Sequence, residues 1–189
     1  MSVQVLRRRF SVDEYYKMAH AGILNEDDRV ELIEGEIVEM PPIGSYHAGD
    51  VDWLAQMFIR RLAGRAIVRG QNPIHLSVYS EPQPDITLLR PRADFYTTSH
   101  PTPEDILLVI EVADTSVAYD REIKAPLYSR AGIREYWVVS LVEQSIEVYR
   151  GPSPEGYRQV RVARRGERLA PEALPDLELS VDEILGPNS

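Results

Sequence analysis

Two acidic residues stand inside apolar runs of this sequence, where a carboxylate is unusual. Asp85 lies at the start of the run at residues 84–90, and Glu111 lies near the end of the run at residues 106–112. Both runs have the length and the branched side chains of strands that are buried on two faces. Because a buried carboxylate is costly without a cation or hydrogen-bond donors, these two acids indicate a functional site rather than a solvated surface.

The two acids are predicted to share that site. Their runs are separated by 15 residues, and if the runs pair as antiparallel strands, Asp85 lies level with Glu111. Two neighbouring carboxylates repel each other, which raises a pKa or favours a bound divalent cation such as Mg²⁺ or Mn²⁺. The alternative for Asp85 is a purely local role, in which it caps a turn at the start of its strand.

Three further residues are candidates, each with a simpler alternative. Lys124 follows the second run and would either stabilise charge on a phosphate or neutralise Glu111 or Asp120 in a salt bridge. Glu31 lies in a predicted hairpin over residues 29–40, where it faces either the acidic site or solvent. His47, in the first turn of a predicted helix, would either hydrogen-bond the helix start or orient a phosphate or a water.

The composition excludes several classes of site. The chain has no cysteine, which removes disulfides, thiolate nucleophiles and zinc-thiolate centres. A formal net charge of −9 argues against a protein that simply coats nucleic acid, although not against an enzyme that handles phosphates through a metal. No run approaches the ~20 apolar residues of a membrane span. The first ten residues lack the apolar core of a secretory signal, so we expect a cytoplasmic protein.

Familiar catalytic motifs are also absent from the sequence. It contains no glycine-rich phosphate loop, no Gly-x-Ser-x-Gly and no His-Glu-x-x-His. What remains is an acidic pair with a lysine nearby. Such a set can polarise a phosphodiester through Mg²⁺, position an attacking water and stabilise the charge that develops on oxygen.

The periodicity of apolar residues divides the chain into short elements. Helices are predicted at residues 12–21, 46–63, 120–131 and 180–185, with capping boxes that begin at Ser11 and Ser180. Strands are predicted at residues 29–34, 36–40, 66–69, 73–79, 84–90, 106–112, 135–141, 145–150 and 157–162. Pro126 lies inside the third helix, which therefore starts late or kinks, and the direction of Lys124 depends on which is true. By length, residues 1–189 form one domain, with a core at about residues 44–150.

The order of these motifs carries a family resemblance. The segments concerned are residues 31–36, His47, residues 84–86, residues 109–112, Ser116, residues 119–121, Lys124, Tyr128 and residues 134–139. Together they resemble the Uma2 family, a large group of mostly uncharacterised bacterial nucleases. That family belongs to the restriction-endonuclease-like superfamily, which has the motif Pro-Asp…(Asp/Glu)-x-Lys. The resemblance covers roughly residues 11–150.

The resemblance implies a fold and a metal site. The fold is α/β (α+β): a mixed central β-sheet flanked by helices, with an N-terminal helix and a β-hairpin. Asp85 and Glu111, with Glu31 nearby, would bind Mg²⁺ or Mn²⁺. Ala113 stands where the superfamily motif has its lysine, and the resemblance assigns the catalytic lysine to Lys124 on the following helix.

The resemblance also implies residues around the metal site and a quaternary structure. His47, Asp120 and Tyr128 would support the metal ligands or face the substrate. Superfamily members often pair to cut two strands, so a homodimer is expected.

Three functional hypotheses follow from the sequence. The first is a metal-dependent endonuclease that hydrolyses DNA phosphodiester bonds, with arginine clusters at residues 7–9, 60–69 and 161–168 tracking the backbone. The second is a catalytically silent module on the same fold that binds nucleic acid or protein. The third is a structural protein whose buried acids are neutralised by arginines.

Overall fold

Short helices and strands alternate along the chain. The computed structural model describes residues 7–25, 27–114 and 116–186. Its helices are α1 (Val12–His20), α2 (Ser45–Leu62), α3 (Val117–Tyr119), α4 (Ala125–Arg130) and α5 (Val181–Leu185). Its strands are β1 (Val30–Ile33), β2 (Glu36–Glu39), β3 (Ile67–Gly70), β4 (Ile86–Leu89), β5 (Ile106–Ala113), β6 (Glu135–Ser140), β7 (Ser145–Arg150), β8 (Gln159–Arg164), β9 (Arg168–Leu169) and β10 (Leu179–Ser180). A 3₁₀ turn covers Pro103–Asp105, and a π-helical turn covers Asp120–Lys124.

A six-stranded sheet forms the centre, in the order β3-β4-β5-β6-β7-β8. Every neighbouring pair is antiparallel except β5 and β6, which are parallel. A parallel pair needs a crossover connection, and here it consists of α3, the π-helical turn and α4. The crossover is the segment that carries Asp120, Lys124 and Tyr128.

The two faces of the sheet are covered by different elements. On one face α2 packs through Val51, Leu54, Phe58 and Leu62, the apolar stripe that the sequence predicted. The C-terminal segment with α5 joins this core. On the other face Tyr128 of α4 packs with apolar and aromatic side chains of β5 and β6. The acidic pair belongs to this second face, because Glu111 contacts Tyr128 there.

The N-terminal helix and the hairpin form as predicted. Ser11 and Glu14 make the capping box of α1, and β1 pairs with β2 in antiparallel register. Gly35 in the turn has φ of 83° and lies against Arg9, a conformation and a close approach that favour glycine. Leu32 forms a bridge with Glu81, which attaches the hairpin to the segment that precedes β4.

The prediction of a strand at residues 73–79 is wrong. The structure has only an isolated bridge there, between Ser77 and Ser80. Ile74 N–H donates to Pro82 O and Leu76 N–H donates to Ser80 O, so the segment folds back on its own continuation. Its alternating residues resemble a strand, but these donors are used within the loop rather than by a neighbouring strand.

The regular α-helix within residues 120–131 starts late, at Ala125, and Pro126 lies in its first turn, which confirms one of the two predicted alternatives. The helical region begins earlier, at Val117, and it continues through a π-helical turn in which Ala125 N–H donates to Asp120 O, five residues back. The ring of Pro126 would clash with the carbonyl four residues back in a regular α-helix, and the widened turn lies directly before it. Lys124, at the end of this turn, is 4% exposed and points inward.

The predicted fold class is confirmed: helices flank a mixed central sheet, preceded by a helix and a hairpin. The strands that hold the acids also pair as predicted, antiparallel and with Ile86 opposite Ile110. Across residues 7–25, 27–114 and 116–186, no helix has both the length and the apolar character needed to cross a membrane.

Candidate active site

Asp85 and Glu111 face each other at the end of the β4–β5 pair. Asp85 N–H donates to Glu111 Oε2 at 3.0 Å, and Val112 N–H donates to Asp85 Oδ2 at 2.9 Å. Each carboxylate therefore accepts a backbone hydrogen bond from the opposite strand. This is the juxtaposition that the two apolar runs predicted.

Lys124 lies between two carboxylates. Its Nζ is 2.8 Å from Glu31 Oε2 and 3.4 Å from Glu111 Oε1. Tyr128, four residues further along the crossover, donates its hydroxyl to Glu111 Oε1 at 2.8 Å. The crossover helix thus brings a cation and a hydroxyl onto the acidic end of the sheet.

Glu31 faces the acidic site rather than solvent, which is one of the two orientations that the sequence allowed. It is 2% exposed, and its Oε2 accepts a hydrogen bond from Gln83 N–H at 3.1 Å. Tyr119 donates its hydroxyl to Oε1 at 3.4 Å. The hairpin therefore contributes a third acid, on the far side of Lys124 from Glu111.

His47 contacts the acidic pair from the other side. Its Nε2 lies 3.1 Å from Asp85 Oδ1, and Gln71 Nε2 donates to the same oxygen at 3.3 Å. His47 is held by the first turn of α2. Of the two alternatives for this histidine, the structure shows a side chain that contacts an acid of the site.

Asp120 is buried within the crossover and lies close to the other charges. Ser116 Oγ donates to its Oδ2 at 2.8 Å. Burial raises the pKa of Asp120 to about 6, while the Ser116 hydrogen bond and the charge of Lys124 lower it. Asp120 is thus another carboxylate that the local environment only partly stabilises in its charged form.

Glu111 has the most strongly perturbed carboxyl of the site. Burial raises its pKa to about 8, the charge of Lys124 lowers it, and the charge of Asp85 raises it again. Burial lowers the pKa of Lys124, but Glu111 and Glu31 together raise it above its usual value. Lys124 therefore remains an ammonium, and the site holds more carboxylates than cations.

The pKa of His47 is raised by its hydrogen bond to Asp85, against the effect of burial. The shift favours the imidazolium, which can donate to Asp85 while it retains a second N–H. A donor of this kind beside the acidic pair suits contact with an anionic substrate.

The residues present fit a divalent cation. Asp85 and Glu111 supply carboxylate oxygens, which Mg²⁺ and Mn²⁺ prefer, and the excess of negative charge favours a cation. In the described part of the chain, no group of three or more His, Asp or Glu side chains could hold a metal ion. Mg²⁺ commonly binds through one or two carboxylates and keeps several waters.

Four residues that contact the site had no role predicted from the sequence. These are Gln71, Gln83, Ser116 and Tyr119. A signal existed for Ser116, because Ser116, Asp120, Lys124 and Tyr128 recur every four residues, as on one helix face. Gln71 and Gln83 had no such signal, since both lie in irregular segments next to strand ends.

The arginine clusters are largely paired with acids away from the site. Arg61 and Arg65 at the end of α2 contact Glu183 and Asp176, and the members of the third cluster that contact acids are Arg161, Arg165 and Arg168. Among the described residues, no guanidinium contacts Asp85 or Glu111. The hypothesis that arginines neutralise Asp85 and Glu111 is therefore wrong, because His47 contacts Asp85 and Lys124 contacts Glu111.

Comparison with known proteins agrees with this geometry. The model of the Uma2 family, described as "Putative restriction endonuclease", matches residues 12–182. A crystal structure of "a putative nuclease belonging to DUF820" from Anabaena variabilis has a TM-score of 0.72 with 17% identity, covering 93% of this chain and 97% of that chain. At that identity the similarity shows the shared fold. No curated protein matches the chain.

The chain belongs to the Uma2 family, because the family match spans nearly its whole length. The predicted resemblance is thereby confirmed. The family supports a nuclease.

Proposed function

We propose that the chain is a metal-dependent endonuclease that hydrolyses phosphodiester bonds of DNA. The observation that carries this proposal is the contact between Asp85 and Glu111 across β4 and β5, with Lys124 beside Glu111. Two carboxylates with a buried ammonium can hold a divalent cation and stabilise negative charge on a phosphate. Asp85 and Glu111 are the proposed ligands, with Glu31 nearby.

The neighbouring side chains have supporting roles in this proposal. A bound Mg²⁺ or Mn²⁺ would supply Lewis-acid stabilisation of the phosphate. Lys124 would donate to the phosphate oxygen that gains negative charge, and the 2.8 Å contact with Glu31 keeps the ammonium protonated and oriented. Tyr128 holds Glu111 through its hydroxyl. His47 orients Asp85 or donates to the substrate.

The test is cleavage of plasmid DNA in the presence of Mn²⁺ or Mg²⁺. We expect Asp85→Asn and Glu111→Gln to lower the rate by at least about 100-fold, because metal sites lose that much even when a supporting residue is changed. Glu34→Gln is the matched control, since Glu34 is an exposed carboxylate that pairs with Arg130. Absence of metal-dependent product from the wild type, or equal rates for all four proteins, would contradict the proposal.

A catalytically silent binding module is the second candidate. Two observations favour it: Lys124 already forms ion pairs with Glu31 and Glu111, and Ala113 stands where the superfamily motif has lysine. Titration calorimetry with Mn²⁺ separates the two candidates. Binding that is lost in Glu111→Gln supports the nuclease, whereas no binding of Mn²⁺ by the wild type supports the module.

A further inference from the structure

Arg69 shares a face of the sheet with the acidic pair. The register aligns Arg69 with Thr87 on β4, and Thr87 with Val109 on β5. Two residues further along, Gln71 N–H bonds Asp85 O, and Asp85 lies beside Glu111. Glu111 is two residues beyond Val109 on β5, and residues two apart on a strand point to the same side, so Arg69 and Glu111 lie on one face of the sheet.

The guanidinium of Arg69 is held against the loop that follows β3. Its Nη2 donates to Asn72 Oδ1 at 3.1 Å, and Asn72 lies just beyond Gln71, whose side chain contacts Asp85. Diagonal neighbours on paired strands have Cα atoms about 7–8 Å apart, which a long side chain can bridge. Arg69 is therefore within reach of a ligand that occupies the acidic pair.

One nitrogen of Arg69 lacks a partner. Among the described residues nothing accepts a hydrogen bond from its buried Nη1. Buried polar atoms in native proteins are nearly always hydrogen-bonded, and a charged donor without an acceptor is especially unfavourable. A missing acceptor at this position indicates a group that arrives from outside the chain.

The surroundings of Arg69 favour an anion as that group. Burial lowers the pKa of Arg69, and the positive charge of Arg92 lowers it further. Arg92 is paired with Asp94, whereas no carboxylate of the described residues contacts Arg69. Arg61 and Arg65, from the same sequence cluster, are both paired with acids. Arg69 is thus a cation near the site whose charge no carboxylate neutralises.

We propose that Arg69 binds a phosphate of the DNA strand held at the acidic pair, next to the phosphate that is cut. This inference rests on the proposed function and adds a residue that positions the substrate. The planar guanidinium matches the oxygens of a phosphate, and Nη1 gains its acceptor when the strand binds. An ordered water would satisfy the same nitrogen but would leave its charge unpaired.

The experiment measures DNA affinity without cleavage. A fluorescein-labelled DNA duplex is titrated in EDTA with protein that carries Glu111→Gln, so that no strand is cut. Adding Arg69→Gln is expected to weaken binding by about tenfold, which corresponds to loss of one charged hydrogen-bonded contact. The slope of log affinity against log salt should fall by about one unit.

Arg60→Gln in the same background is the matched control. It removes the same charge from the opposite end of α2, roughly 20 Å from His47 along the helix axis, where Arg60 donates to Gln56 O. Compared with Arg69→Gln, Arg69→Lys should restore most of the salt slope but only part of the affinity. Lysine keeps the positive charge but lacks the paired N–H donors of the planar guanidinium. Thermal melting of each variant separates loss of contact from loss of fold.

Equal affinity and equal salt slope for the Arg69→Gln and Arg60→Gln proteins would overturn the inference. So would failure of the Glu111→Gln protein to bind the duplex at low salt. The nuclease proposal fails differently, by absence of metal-dependent cleavage in wild type. If DNA binding depends on Arg69 but the wild type cuts nothing, this inference stands and the nuclease does not.

Discussion

Glu111 is the residue on which the candidate site depends most. It accepts hydrogen bonds from the Asp85 amide and the Tyr128 hydroxyl, and it lies beside the Lys124 ammonium. Burial nevertheless raises its pKa to about 8. The hydrogen-bond donors and the ammonium therefore offset only part of the free-energy cost of burying the charged form of this acid. A bound cation would stabilise that charged form further.

Mn²⁺ affinity should rise with pH up to about 8. Below its raised pKa of about 8, Glu111 carries a proton that a metal must displace, and ligands bind metals in their deprotonated form. We expect the affinity to increase by up to about tenfold per pH unit from about pH 6, and to level off above the pKa. Calorimetric titrations across this range provide the measurement.

His47 is the control for that pH profile, because its imidazole also titrates and its pKa is raised by the hydrogen bond to Asp85. In His47→Gln the rise toward pH 8 should persist if Glu111 is the responsible group. A profile that becomes flat in His47→Gln would assign the pH dependence to the histidine instead.

Removal of Lys124 should destabilise the fold strongly. Lys124→Ala leaves Glu31 buried without the cation that contacts it at 2.8 Å, and breaking a buried ion pair in this way costs about 3–5 kcal/mol in the free energy of unfolding. Arg130→Ala removes a cation from an exposed pair with Glu34, and its cost should stay below about 1 kcal/mol. Urea denaturation of both variants in EDTA tests the difference, and equal losses would contradict it.

At the scale of elements, the crossover helix is what assembles the site. Asp120, Lys124 and Tyr128 lie four residues apart, and all three are buried toward the sheet. The π-helical turn at Asp120–Lys124 lies where two of them are held. Such turns occur frequently at functional sites in helices.

The hairpin of β1 and β2 should be sensitive to its turn glycine. A Cβ at Gly35 would lie 2.6 Å from Arg9 Cβ, in addition to the strain of its φ of 83°. Gly64 has a similar φ of 85° but nothing within 4 Å. Gly35→Ala should therefore lower the free energy of unfolding by about 1–3 kcal/mol more than Gly64→Ala, because it adds overpacking to the same backbone strain.

Thermal or chemical denaturation of these two alanine variants measures that difference. Because Glu31 lies on the same hairpin, Gly35→Ala should also weaken Mn²⁺ binding, whereas Gly64→Ala should not. Equal destabilisation by the two substitutions would show that Arg9 moves aside at little cost.

At the scale of the whole molecule, charge is distributed unevenly. Acids of the C-terminal segment pair with arginines at or just after the end of α2 and with arginines of the region from β8 to β9. Exposed pairs of this kind contribute little to stability individually. Guanidinium groups engaged with carboxylates are less available for the DNA phosphates that the proposed function requires. No carboxylate of the described residues contacts Arg69.

A homodimer remains a prediction from the family resemblance. Light scattering coupled to size-exclusion chromatography should give twice the chain mass of 21.5 kDa at micromolar protein concentration. A mass of one chain at every concentration tested would contradict the prediction. A monomeric enzyme would then be expected to nick a single strand of plasmid DNA before it linearises the molecule.

The sequence alone predicted several elements whose structure depends on local pattern. Apolar periodicity predicted α2 and the strands that carry Asp85 and Glu111, and strand geometry then brought the two acids level with each other. The capping box at Ser11 was also readable, because its contacts span three residues. Strands repeat every two residues and helices about every four, and a capping box involves residues three apart. These features depend on nearby residues and so can be predicted from a short stretch of sequence.

Only the tertiary structure decided which partner each polar residue takes. Glu31 points inward and contacts Lys124, and residues 73–79 form a loop rather than the predicted strand. Nη1 of Arg69 has no acceptor among the described residues. Each outcome depends on residues distant in sequence, as with Glu31 and Lys124. Such contacts form when separate elements compete for the same hydrogen-bond donors and the same buried space. A local sequence pattern does not predict which contact forms.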